Sequence, residues 1–431
     1  MKILTAKWVL PIKSPPIESG AVVIESGRIV WAGPQSELAK VVPDAESRAE
    51  VCNFQNAAIL PGLVNAHSHL ELTALRNRLD SFDGDFRTWL ITLNTLRAGM
   101  TEDELIESAL LGAREAASFG VTLLGDVARF GNAAAKAIEA SGLRAIVFQE
   151  TEFSPDNRTA DDDFRTLAEK FENYARDFGD KVNFGISPHT PYTVSSRLFE
   201  LIAGYAILNR IKLAIHTAEG RSENELLKHG RGFFMEVFEK FGVEWHPPGL
   251  SAVRYLERLG VLAAKPLLIH CVDLEREELQ TISQYGATIA HCPKSNAKFG
   301  HGAAPLSEMM EESIAIGIGT DSAASNNFCD VLDEARFAAL LARSRNSSAG
   351  VVSPKEILRL ATLGGAEALG LSDSVGSIEE GKLADLAVFG LDGLHQTPLG
   401  DIEAALAFST RGSDCIATFV GGNEVYRKQL Q

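Results

Sequence analysis

Eight short apolar runs, each followed by a stretch of helical character, constrain this chain more than any other feature of its sequence. The runs are AAILPGLVNAH (57–67), VTLLGDVA (121–128), LRAIVFQE (143–150), VNFGISPH (182–189), KLAIHTAE (212–219), PLLIHCV (266–272), ATIAHCP (287–293) and IAIGIGTD (314–321). Alternation of this kind is the signature of repeated βα units around a parallel sheet. The stretch TEDELIESALLGAREAASFG shows the helical half of one unit: Thr101 as N-cap, Glu104 three residues on, and Gly120 as the stop. Eight units predict a (β/α)8 TIM-like barrel over residues 58–365. A doubly wound open sheet would carry a glycine-rich phosphate turn after its first strand, and HSHLE stands there instead.

The two ends of the chain read differently. MKILTAKWVLPI and GAVVIESGRIVWAG near the start, and SIEEGKLADLAVFG and DCIATFVGGNEVYR near the finish, are short strands around glycine turns. A small β-sandwich domain assembled from residues 1–57 and 366–431 is expected, because the termini of many domains lie close together. A length of 431 residues suits a barrel with such an added module.

Charge and cysteine content narrow the function classes. With 41 basic against 57 acidic side chains the formal charge is -16, and no Lys/Arg cluster offers a patch for a phosphate backbone, so nucleic acid is not an expected partner. Five scattered cysteines without a CxxC pair fit reduced thiols rather than a disulfide framework or zinc ribbon. Neither a signal-peptide core nor a membrane-length apolar run is visible. The expectation is a cytoplasmic protein acting on a small molecule, with a homodimer as the expected assembly.

In barrels of this kind the chemistry sits at the C-terminal ends of the strands. Here those ends carry His67 and His69 (first strand), His189 (fourth), His216 with Glu219 just beyond (fifth), His270 (sixth), His291 (seventh) and Asp321 (eighth). Residues i and i+2 of a strand share a face, so His67 and His69 can reach one ion. A lone HxH pair is weak evidence, since a buried histidine is often a core residue with its hydrogen bonds satisfied. Histidines and an aspartate at further ends of the same barrel shift the balance. His67, His69, His216 and Asp321 are the expected ligands of one divalent ion, zinc first, with iron or manganese also compatible. His270 and Asp321 would hold or deprotonate a water activated there. Glu219 is either a helix-start carboxylate or, beside the metal set, a shuttle passing a proton to a substrate ring nitrogen. Binuclear barrels bridge two ions with a modified lysine at the end of strand four; GISPHTPYT has none there, which favours one ion.

Taken together, PGLVNAHSH, HTAEG, LIHCV, HCPKSNAKFG, GTDSAASNN and GSIEEGKLADLAVF resemble the amidohydrolase superfamily over essentially the whole chain. The branch they look like is the mononuclear deaminases of adenosine-like and related heterocycles, which includes S-adenosylhomocysteine and methylthioadenosine deaminases, guanine deaminase and chlorohydrolases. The resemblance implies His67, His69, His216 and Asp321 as metal ligands, with Glu219, His270 and Asp321 catalytic. Glu71 after HxH, the GDF..WL segment and HCPKSNAKFGHGAAPL look most like the aminodeoxyfutalosine deaminases. The homocysteine-type deaminases tend to place an acidic ribose-binding residue near TLNTLRAGM, where this chain has Asn94. The expected reaction is therefore hydrolytic deamination of a 6-aminopurine nucleoside derivative, 6-aminodeoxyfutalosine of menaquinone biosynthesis first. S-adenosylhomocysteine, methylthioadenosine or another heterocycle, or chloro- or cyclic-amide hydrolysis, are the alternatives. A non-catalytic barrel would have lost ligand types, and all are present. His189, Glu71, Asn94 and Arg129 are candidate substrate contacts, Arg129 as a bidentate partner for a carboxylate. For His189 the alternative is a structural hydrogen bond; Glu71, Asn94 and Arg129, like Trp89 and Phe299, could equally pack the barrel rim. Ser322 and Ser325 could simply order the loop after Asp321.

Overall fold

The apolar run at 57–67 is two strands, not one. In the computed structural model, which describes residues 1–43 and 49–429, Ala57–Pro61 and Leu63–Ser68 are separate strands joined by Gly62. The first pairs antiparallel with Leu386–Gly390 and parallel with the end of Lys2–Val9; the second pairs parallel with Val121–Ala128. A Cβ at Gly62 would lie 2.0 Å from Thr122 Oγ1, so only glycine permits this passage from one sheet to the other.

Strands from both chain ends form one sheet: β1 (Lys2–Val9), β2 (Ile17–Glu25), β3 (Arg28–Pro34), β4 (Glu50–Asn53) and β5 (Ala57–Pro61) join β14 (Leu386–Gly390), β15 (Cys415–Val420) and β16 (Asn423–Arg427). Its order is β16-β15-β14-β5-β1-β2-β3, with β4 added beside β1. Leu4, Val22, Ile59, Val388 and Phe419 pack in one apolar cluster, so residues from both ends share a core.

The barrel is built from β6 (Leu63–Ser68), β7 (Val121–Ala128), β8 (Arg144–Glu150), β9 (Val182–Ser187), β10 (Ala214–Thr217), β11 (Leu267–His270), β12 (Thr288–His291) and β13 (Ile316–Ile318). β6 to β9 and β10 to β13 are two parallel four-stranded sheets. Parallel bridges Ile186↔Leu213 and Ser68↔Asp321 join them at both seams and close the ring. Every residue of β7 is buried, as a strand covered on both faces requires. Helix Glu102–Ser118 begins with the expected reciprocal cap between Thr101 and Glu104.

The last four barrel strands are only three or four residues long, shorter than their apolar runs. Their ladders stop where the chain turns toward the site: Ala218, His270, Cys271 and Asp321 all have φ between +51° and +72°. Non-glycine residues rarely adopt this left-handed region, and they do so where surrounding structure imposes it. Among the described residues no helix is long and apolar enough to cross a membrane.

Candidate active site at the open end of the barrel

Of the strand-end residues named from sequence, His67, His69, His216, His270 and Asp321 converge. His67 is fully buried at the end of β6, and neither of its ring nitrogens has a hydrogen-bond partner among the described residues. Its Nε2 lies 3.5 Å from Asp321 Oδ1, and Nε2 of His69 lies 3.6 Å from the same oxygen. His69 Nδ1 meets the Val127 carbonyl at 2.8 Å and His216 Nδ1 meets the His189 carbonyl at 3.1 Å, which places the protons on Nδ1. The two Nε2 atoms then face each other at 3.3 Å. Asp321 Oδ2 is occupied, accepting from Ser295 Oγ (2.6 Å) and Ser325 Oγ (2.9 Å), so Oδ1 is the oxygen left for the imidazoles.

Burial pushes His67 down to about 4 and His216 well below the usual imidazole range. Neutral imidazoles with free Nε2 lone pairs and an oriented carboxylate oxygen are the donor set a borderline divalent ion takes. His67, His69 and Asp321 offer ligand atoms within 4.8 Å of one another, as do His67, His216 and His270. An orphaned buried nitrogen and a facing lone-pair duo thus fit a metal ion at this point.

Beside this cluster, His270 Nδ1 lies 2.9 Å from Asn296 Oδ1, leaving its Nε2 toward Glu219 Oε1 at 3.7 Å. Glu219 follows β10, and its backbone N–H donates to Glu223 Oε2 at 2.8 Å. Glu223 opens helix Arg221–His229 and is buried, which raises its carboxyl to about 8. His291 is also buried at the end of β12 but stands outside these ligand groups.

The cluster forms the floor of a cleft of about 800 Å³. Trp89, Phe299, Phe153 and Phe234 supply apolar walls, and Asn94, Arg129 and His189 supply polar ones. His189 Nδ1 meets Thr193 Oγ1 at 2.9 Å, and its Nε2 lies 3.8 Å from Glu150. Arg129 Nε stands 3.6 Å from both Glu150 and Glu152. Asn94 accepts from Arg97 Nη2 at 2.7 Å. Glu71 lies elsewhere: fully buried beneath the cleft, it accepts from the backbone N–H groups of Arg129 and Phe130 and pairs with Arg97. Its position is that of a loop anchor, not of a surface a ligand can touch. Ser322 caps helix Ala323–Asn326, as a loop-ordering residue would, whereas Ser325 reaches Asp321 directly.

Sequence reasoning assigned no part to Ser295, Asn296, His301, Arg97, Glu150 or Glu223. The first three lie in HCPKSNAKFGH, directly after β12, so their place at a strand's C-terminal end was the available signal.

Fold and site together define a barrel hydrolase with a histidine-rich centre able to hold a metal. The Amidohydrolase family profile matches residues 58–425. A 5-methylthioadenosine/S-adenosylhomocysteine deaminase from Symbiobacterium thermophilum is 30% identical over 429 residues, covering 98% of this chain and 93% of that protein. Among solved structures, an adenosine deaminase from Xanthomonas campestris with bound zinc superposes with a TM-score of 0.84 at 28% identity, over 98% of this chain and 92% of that one. Helicobacter pylori aminofutalosine deaminase in complex with methylthio-coformycin shares the fold, with a TM-score of 0.82 at 23% identity over 99% of this chain and 100% of that one. This chain belongs to the amidohydrolase family.

Proposed function

We propose that this protein is a metal-dependent aminohydrolase converting a 6-aminopurine nucleoside derivative and water into the 6-oxo product and ammonia. The observation that carries the reading is the placement of Glu219, a carboxylate at the edge of the His67, His69, His216 and Asp321 cluster, lining a cleft large enough for a nucleoside. The deaminase names of the sequence relatives and of the Xanthomonas structure support it.

His67, His69, His216 and Asp321 would hold the ion, zinc being the metal best matched to three imidazoles and a carboxylate. Such an ion supplies Lewis acidity, lowering the pKa of a water from about 15.7 to about 7. Asp321, oriented by Ser295 and Ser325, takes a proton from the attacking water. His270, oriented by Asn296, steadies that water. Glu219 passes a proton to the ring nitrogen next to the attacked carbon; the proton taken up by Asp321 then goes to the exocyclic amine, ammonia departs as the carbon–nitrogen bond breaks, and the hydroxyl proton of the adduct returns to Glu219. His189, Asn94 and Arg129 meet the rest of the substrate from the polar wall.

For the substrate we propose 6-aminodeoxyfutalosine, which would place the enzyme in menaquinone biosynthesis, in the cytoplasm. A cleft of about 800 Å³ with aromatic walls suits a nucleoside bearing a bulky substituent, and Arg129 suits a distal carboxylate. Methylthioadenosine or S-adenosylhomocysteine is the second reading, favoured by the names of the relatives. Ammonia release by the zinc-loaded protein from each of these and from adenosine tests both. Turnover of one names the substrate; silence on all of them removes the aminohydrolase reading.

A further inference from the structure

Glu219 Oε1 stands between two imidazoles, Nε2 of His270 at 3.7 Å and Nε2 of His301 at 3.6 Å. His270 directs its Nδ1 proton at Asn296, so in the neutral ring its Nε2 offers Glu219 no proton. No other side chain among the described residues hydrogen-bonds the Glu219 carboxylate. His301 has its Nε2 buried without a partner, and Glu219 is the acid beside it. The His301 ring cannot turn freely: Phe86 meets it edge-on at 5.1 Å between centroids and Phe299 lies at 5.5 Å. Gly220, next to Glu219, makes this approach possible, because a Cβ there would sit 3.0 Å from His301 Nδ1. Behind Glu219 a small side pocket, lined by Gly220, Glu223, Phe234 and His301, gives the carboxylate a second place to go.

We infer that His301 is a positioning residue for Glu219: its Nε2–H holds the carboxylate at the reacting end of the cleft and keeps it out of the side pocket. A shift of a few tenths of an ångström would bring the 3.6 Å contact within hydrogen-bonding range. The inference rests on the aminohydrolase reading for its kinetic consequence, but the contact itself does not.

Three variants of the full chain test it, His301→Phe, His301→Gln and Gly220→Ala, by turnover of the active nucleoside, bound metal and crystal structure. Phenylalanine keeps the aromatic packing and removes the donor, whereas glutamine restores an N–H near the Nε2 position. Gly220 has an extended backbone (φ −166°), so alanine strains only the His301 contact. H301F should lower kcat about tenfold or more, part of what a general acid typically contributes, with KM and bound metal unchanged. H301Q should recover most of that loss, and G220A should fall between. Wild-type kcat in H301F, equal loss in H301F and H301Q, or a change in KM alone would overturn the inference. If the wild type deaminates nothing, the function reading fails and the crystal structures still decide: Glu219 turned into the side pocket in H301F supports the contact, and Glu219 unmoved overturns it.

Discussion

The Nε2 atoms of His69 and His216 lie 3.3 Å apart, while Nδ1 of each ring is engaged by a main-chain carbonyl. Two lone pairs aimed at one another repel unless a cation lies near both. Purified protein should therefore carry about one divalent ion per chain, as a mononuclear site of this donor type does. His216→Ala and Asp321→Ala should lose both the ion and turnover. Metal analysis with a thermal melt of each variant checks this, and full metal content in H216A would remove His216 from the site.

Glu219→Gln should retain the ion and the melting temperature of the wild type while kcat falls by about a hundred- to ten-thousand-fold, the range for losing a general acid–base group. A fully active E219Q would show that another group moves the proton.

Ser295 and Ser325 both donate to Asp321 Oδ2. Removing hydroxyls that orient a ligating carboxylate typically costs about 10–100-fold in metal affinity or activity. Ser295→Ala should show that loss, and the double variant with Ser325→Ala should lose more, read as metal affinity by competition with a chelator.

Burial raises Glu223 to about 8 in the folded chain, above the value of about 4.3 for a free glutamate. The folded state then binds more protons than the unfolded one between these values, so stability falls as pH rises through that window and levels off above it. Glu223→Gln keeps an acceptor for the Glu219 N–H and removes the titrating carboxyl. Its melting temperature relative to wild type should climb by a few degrees from pH 5 to pH 8; a gap that stays constant over that range would contradict the assignment.

The sequence made the histidine-rich cluster legible because its members stand at the ends of three apolar runs, the first carrying both His67 and His69, and barrel geometry brings those ends together. HxH also announces its shared face through spacing alone. The orienting groups were not legible in the same way. Ser295 and Asn296 lie on the short helix Pro293–Lys298 and His301 just beyond it, and their contacts with Asp321, His270 and Glu219 join segments far apart in sequence, where left-handed residues at 270 and 321 interrupt the strand pattern and no periodicity reveals a partner. Glu71 illustrates the limit from the other side: a polar residue beside HxH suggests substrate, yet the turn Leu70–Leu75 carries it under the loop it anchors. Likewise, AAILPGLVNAH is apolar throughout, and its division into two strands depends on which partners lie alongside.

That division at Gly62 leaves no linker. One residue, with no room for a side chain, separates a strand bonded into the chain-end sheet from the strand that presents His67. The strand that presents His67 is therefore the direct continuation of a strand of the chain-end sheet. The neighbours of that chain-end strand, β1 and β14, come from opposite ends of the chain, so the strand that presents His67 rests on both of them at once.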